Sequence, residues 1–287
     1  MYMKRAFLTL VTALALLPAA ASAEPVFGLT GGGAIFSFDS ASPNTINNLV
    51  LVTGTGTDTL AGIDFRPATG QLYGFATNGN LYRINTATGV ATLDVVPLMS
   101  VGTLQFADFN PLVDRLRILS AGNENYRITP SGGPNAGMVN FDGNFAFAAG
   151  SGTGTPNLLG AAYTNNFAGA TSTMFYTVDA NNLYLNSGGP SFNTLNLVGS
   201  LGITLTGFNG FDISQSSGIA FLSNDDFLYT VNLSSGATTL LGTIGGALGA
   251  DTVSIATVAI PEPSTYALLS AGLLGAGALF VRRKARG

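Results

Sequence analysis

The chain has 287 residues and contains no cysteine, no histidine and no tryptophan. Disulfides, thiolate redox sites, His-ligated zinc and the Ser-His-Asp and Cys-His nucleophile systems are therefore excluded. Lysine occurs only at Lys4 and Lys284, so Schiff-base chemistry is excluded from everything between them. Basic charge is scarce: between residues 24 and 260 the only cations are Arg66, Arg83, Arg115, Arg117 and Arg127, against 14 acids, a net charge of −9. Such a surface repels phosphate backbones, which excludes nucleic acid as a partner. With no covalent cross-link available, the fold must rest on its core. A domain of 237 residues suffices for that, burying roughly 70% of its unfolded surface.

Both ends differ from the middle. Lys4-Arg5 precede an apolar run from Ala6 to Leu17, then Pro18 and Ala21-Ser22-Ala23. A short basic start, an apolar run too short to span a membrane and small residues at Ala21 and Ala23 make a signal peptide over 1–23, cut by signal peptidase after Ala23. Residues 24–260 are then the exported domain. Its richness in Thr, Asn, Ser and Gly suits a hydrated surface or matrix protein.

An internal repeat governs the reading of that domain. An apolar-aromatic-x-apolar pattern recurs around Phe36, Tyr82, Tyr126, Tyr184 and Tyr229, at intervals of 46, 44, 58 and 45 residues. The long interval contains an insertion, Thr164 to Thr173. A second pattern precedes it: Gly62-Ile63-Asp64-Phe65, Phe106-Ala107-Asp108-Phe109, Gly160-Ala161-Ala162-Tyr163 and Gly210-Phe211-Asp212-Ile213. Further strand-like runs lie between these anchors, separated by Thr-Gly, Asn-Gly and Ser-Gly turns. About four short strands in about 45 residues is one propeller blade. The first repeat has no inner strand of its own, because the corresponding position falls at Pro18. The alternating stretch Asp251 to Ile260 stands at the right interval after Asp212 to supply it. The expectation is an all-β, five-bladed β-propeller closed by its C-terminal strand, with a β-solenoid as the alternative.

After Ile260 the chain reads Pro261-Glu262-Pro263, then an apolar stretch from Thr265 to Val281, then Arg282-Arg283-Lys284-Ala285-Arg286. The two prolines stop the strand. Seventeen residues make about 25 Å of helix, enough for a single membrane span with the basic end cytoplasmic. Residues 261–287 resemble the PEP-CTERM sorting signal of exported bacterial proteins in motif, helix and basic end. That resemblance implies an exosortase-type enzyme as partner, cleavage near Pro261-Glu262-Pro263, and a setting of exopolysaccharide or biofilm. The propeller region is also similar to a family of exported bacterial proteins known as a domain of unknown function. The likeness is carried by Gly62 to Pro67, Asp108 to Arg117 and Ala161 to Asn166, and it brings no activity with it.

Carboxylate chemistry survives the exclusions. Asp64, Asp108 and Asp212 occupy equivalent positions in three repeats and could converge at the channel, as a glycosidase pair requires, or hold turns at strand ends. No cofactor is expected. Calcium is the one metal with candidate ligands, at Asp179 to Asn182 and Asn224-Asp225-Asp226, but neither segment has the spacing of a calcium loop, and both read as hairpin turns. Gly31-Gly32-Gly33 reads as a turn, because no helix follows it. The densest polar group is Asp108, Asn110, Asp114, Arg115 and Arg117, followed by Asn123, Asn125 and Arg127. On a strand Arg115 and Arg117 share a face. They form either a binding site or an inter-blade ion-pair network with Asp108 or Asp114. The functional expectation is a non-enzymatic surface or matrix module, binding polysaccharide or another envelope protein. A carboxylate-dependent glycan hydrolase or lyase is the alternative.

Overall fold

The strand-like runs of the repeats form strands, those nearest the axis buried at every position, as in Gly160–Tyr163 and Asn209–Ile213, because neighbouring elements cover both faces. The computed structural model describes residues 23–206, 209–245 and 251–258. Residues 1–22 of the expected signal peptide, the tail over 261–287 with its expected apolar helix and the last two residues of the expected closing strand lie outside them. Blade 2 contains β4 (Leu60–Arg66), β5 (Gln71–Ala76), β6 (Leu81–Ile84) and β7 (Ala91–Val95). Blade 3 contains β8 (Leu104–Asn110), β9 (Arg115–Ser120), β10 (Glu124–Ile128) and β11 (Val139–Asn144). Blade 4 contains β13 (Gly160–Tyr163), β14 (Phe175–Val178), β15 (Asn182–Ser187) and β16 (Thr194–Ser200). A short parallel strand, β12 (Ala146–Phe147), adds to its edge at β16. Blade 5 contains β17 (Asn209–Ile213), β18 (Ala220–Asn224), β19 (Phe227–Val231) and β20 (Thr238–Thr243). Within each blade the four main strands form an antiparallel meander.

Blade 1 joins the two ends of the domain. Its outer three strands are β1 (Pro25–Thr30), β2 (Ala34–Asp39) and β3 (Ser42–Leu51), and its inner strand is β21 (Thr252–Thr257). β21 pairs antiparallel with β1, Val26 opposite Thr257 and Gly28 opposite Ile255. The ring is therefore a five-bladed propeller closed by a strand from the other end of the chain, as the spacing predicts. The five repeat aromatics all lie in the third strand of their blades. The insertion falls in the loop between β13 and β14.

The inner strands β21, β4, β8, β13 and β17 surround the axis, each touching its two neighbours. Five apolar layers fill the joints between successive blades. One packs Tyr73 and Phe75 of blade 2 on Phe109 and Ile118 of blade 3. Another packs Val26 and Phe36 of blade 1 on Phe221 and Leu228 of blade 5. Where blades 5 and 1 meet, the backbones come close: a Cβ on Gly210 would stand 2.4 Å from the Ile255 nitrogen, so only glycine lets β17 and β21 approach.

Candidate functional site

The fold brings Asp64, Asp108 and Asp212 together at the axis. Each stands on an inner strand of a different blade, and each offers a carboxylate oxygen within 4.8 Å of the others. All three are buried, at 4%, 2% and 2% exposure. Each carboxylate also reaches the next blade. Asp64 accepts the Phe109 N–H at 2.8 Å, Asp108 accepts the Tyr163 N–H at 3.1 Å, and Asp212 accepts the Thr257 N–H at 2.5 Å and its hydroxyl at 2.8 Å. In every case the donor follows the residue equivalent to the aspartate in the next inner strand. Ala162 and Ala256 hold that place in blades 4 and 1.

The axis opens at one end in a mouth of ≈ 390 Å³ lined by Thr59, Gln105, Phe106, Leu159 and Val253, among others. It narrows to ≈ 20 Å³ beside Asp64 and Asp108. That is room for about one water molecule and none for a sugar ring. The three carboxylates supply hard oxygen ligands of the kind calcium prefers. A calcium ion takes about 6–8 oxygens, whereas each aspartate here already has an oxygen committed to a main-chain amide.

Burial pushes all three carboxyls up. For Asp64 the charge of Asp212 adds to burial, and for Asp108 the charges of Asp64 and Asp212 do, raising both well above the ordinary range. Asp212 rises to about 6, because burial outweighs the Thr257 and Ile213 hydrogen bonds that favour its ionised form. Each folded value exceeds the unfolded one, so the associated stability is complete below about pH 4 and is lost as pH climbs through the folded values. For Asp212 that window runs from about 4 to about 6. For Asp64 and Asp108 the sign is the same, the stability being lost as pH climbs through folded values well above the ordinary range. We expect urea midpoints of the wild type to decline across this window and those of an Asp64→Asn/Asp108→Asn/Asp212→Asn variant to decline less. Asparagine keeps the acceptor oxygen and carries no charge. Parallel curves for the two proteins would contradict this.

The arginine group separates into individual roles. Arg117 is fully buried and bridges blades 3 and 4. Its guanidinium donates to the Tyr163 hydroxyl, to Asn125 Oδ1, to Asp142 Oδ2 at 3.1 Å, and to the carbonyls of Ser191 at 2.7 Å and Pro190 at 2.8 Å. The guanidinium carbon also lies 5.5 Å from the ring centroids of Phe175 and Phe192. Arg127 binds both oxygens of Asp142, at 2.5 and 2.7 Å. Arg115 is partly exposed and donates to the carbonyls of Val113 and Asp114 in its own turn.

The acids paired with these arginines differ from those the sequence suggests. Asp108 turns to the Tyr163 amide, and Arg117 reaches past it to Asp142. Asp114, held at φ 50° in the turn before β9, pairs with Arg66 of blade 2 at 2.5 Å. Asn110 is buried and its Oδ1 accepts the Leu112 N–H at 2.9 Å. Asn125 donates to the Ser191 carbonyl at 2.7 Å. Asn123 adopts φ 63° in a hairpin turn and donates to the Phe145 carbonyl at 2.8 Å. Asp179 Oδ1 accepts the Asn181 and Asn182 N–H groups, and Asn224 Oδ1 accepts that of Thr206. Gly33 closes the β1–β2 turn at φ 79°.

A family model described as a domain of unknown function (DUF4394) matches residues 34–256. The chain belongs to that family. A PEP-CTERM protein-sorting motif matches residues 259–284 of this DUF4394 protein, immediately after the propeller. The motif marks an exported protein sorted to the cell envelope and implies processing by an exosortase-type enzyme. No curated protein matches the chain. Among solved structures, a chain of the nidogen/laminin complex is similar with a TM-score of 0.50 at 12% identity, over 83% of this chain and 99% of that one. A structural-genomics protein of unknown function from Bacteroides thetaiotaomicron gives 0.48 at 12% identity, over 77% of this chain and 58% of its own length. The first likeness concerns the fold alone. The two family stretches Asp108 to Arg117 and Ala161 to Asn166 meet at the joint of blades 3 and 4, where Arg117 contacts Tyr163.

Sequence reasoning overlooked Asp142, Tyr163 and Arg66 as members of these networks. A signal for Asp142 was present. Arg117 and Arg127 are directly opposite in the β9–β10 ladder, and two arginines so placed require a carboxylate between them.

Proposed function

We propose that this DUF4394 protein is a non-catalytic binding module of the cell surface or extracellular matrix, with polysaccharide as its ligand. Its signal peptide is removed on export, its apolar tail holds it in the membrane as an intermediate, and trimming near Pro261-Glu262-Pro263 follows. The observation that supports the non-catalytic reading is the state of the axial aspartates. Hydrolysis or elimination by paired carboxylates needs two groups flanking a bound sugar, with space for it between them. Here three carboxylates crowd within 4.8 Å, buried, each engaged by the amide of a neighbouring blade.

The protein should be retained on immobilised exopolysaccharide without releasing reducing ends or unsaturated products from it. The triple Asn variant should be retained equally. Product release by the wild type that disappears in the triple variant would establish the hydrolase or lyase instead. Failure to bind any member of a broad glycan panel would remove polysaccharide as the ligand.

A further inference from the structure

A second cleft lies away from the axis, at the joint of blades 1 and 2, with a volume of ≈ 910 Å³. That falls in the upper part of the range of ligand sites, about 300–1,000 Å³. Phe27 and Phe65 line it, their rings edge to face with centroids 5.3 Å apart. Both are only half-buried, so each leaves ring surface on which the C–H face of a sugar can rest. Around them stand Gln71, Arg83, Thr86 and Thr92, whose side chains carry amide, guanidinium and hydroxyl groups.

Charge decides between ligand classes. Although the domain has 14 acids against five arginines, among the described residues no carboxylate lines this cleft and Arg83 is the one charged residue that does. Its Nε lies 3.1 Å from Asp94, whose side chain is fully buried, while the Arg83 side chain is 44% exposed. The ion pair anchors the arginine on a buried carboxylate while nearly half of its side chain stays exposed. Planar guanidinium donors match a carboxylate. Charges farther away than about 8 Å are largely screened at physiological ionic strength, so a ligand in the cleft meets the Arg83–Asp94 pair, whose exposed member is the guanidinium.

We infer that this cleft binds a polysaccharide bearing uronic-acid carboxylates, with sugar faces on Phe27 and Phe65 and a carboxylate on Arg83. The inference rests on the reading of the protein as a polysaccharide-binding module and assigns that module its site.

The test is binding of the intact protein to polygalacturonate and to neutral dextran, for the wild type and three variants. Arg83→Gln removes the charge. Ala87→Trp, in an exposed turn that lines the same cleft, puts a bulky ring in the way of a bound chain. Arg115→Gln removes an equal charge elsewhere. The expected result is polygalacturonate binding weakened about ten-fold or more by the first two changes and unaltered by the third, with dextran bound more weakly by every form. Equal weakening by Arg83→Gln and Arg115→Gln would mean diffuse charge attraction. It would overturn the cleft while leaving a binding module standing. Binding unaffected by Ala87→Trp would also overturn it. A change in sedimentation with either cleft variant would show the cleft to be an interface between copies of this chain, and so overturn it too. Absence of binding to both polymers, and to the wider panel, would defeat the underlying reading itself.

Discussion

Deleting Asp251 to Ile260 should abolish the cooperative thermal transition of the whole domain. The effect follows from what β21 touches. It supplies the inner strand of blade 1 and leaves β1 an open edge when absent. Ile255 and Ala256, exposed by 3% and 0%, belong to the apolar layers that join blade 1 to blades 5 and 2. Thr257 provides the amide and hydroxyl that Asp212 accepts, so the deletion also strands a buried carboxylate. Losses on three sides exceed the about 5–15 kcal/mol by which domains of this kind are stable. Calorimetry and limited proteolysis of the truncated protein check this. An unchanged midpoint would mean that the ring does not depend on its closing strand. Gly210→Val should weaken the same joint from the other side, because its Cβ would press on the Ile255 backbone.

The second large effect concerns Arg117. Replacing it by Ala should cost about 3–5 kcal/mol, since it leaves Asp142, Asn125, the Tyr163 hydroxyl and two carbonyls without their shared donor in a closed joint. At roughly 2–4 °C per kcal/mol for a domain of this size, the melting temperature should fall by roughly 10 °C. Arg115→Ala should change stability by under about 0.5 kcal/mol, because that side chain is partly exposed and bonds only within its own turn. Two arginines two residues apart on one strand thus differ by most of the effect, and thermal unfolding of both variants reads the difference. Equal losses would show that Arg115 also carries inter-blade structure. Native stability for Arg117→Ala would remove the bridge between blades 3 and 4.

The blades were legible in the sequence for a local reason. Strands of a meander recur at short, nearly constant separations, so the aromatics at 36, 82, 126, 184 and 229 mark equivalent places without knowledge of the third dimension. Even closure could be read, because a missing inner strand at one end and a surplus strand at the other are visible as a pattern. The convergence of Asp64, Asp108 and Asp212 followed from their equivalence. Their partners did not, since those are main-chain amides one blade away and an amide leaves no mark in a sequence. Arg117 shows the same limit. Its carbonyl partners at 190 and 191 are set by how the β15–β16 loop of blade 4 folds over blade 3. The cleft at Phe27, Phe65 and Arg83 had no sequence signal at all, as it assembles residues from both termini of the domain with the second blade.

The central claim is that the axial aspartates are buried clasps between blades whose carboxyls burial holds above the ordinary range, and titration of the side-chain carboxyls by carbon-13 NMR on aspartate-labelled protein tests it most directly. Asp212 should titrate near 6 and Asp64 and Asp108 well above the ordinary carboxyl range, each resonance assigned by its Asn variant. Three carboxyls titrating together in the ordinary range near 4 would mean that they are hydrated and open to solvent, and would contradict the account.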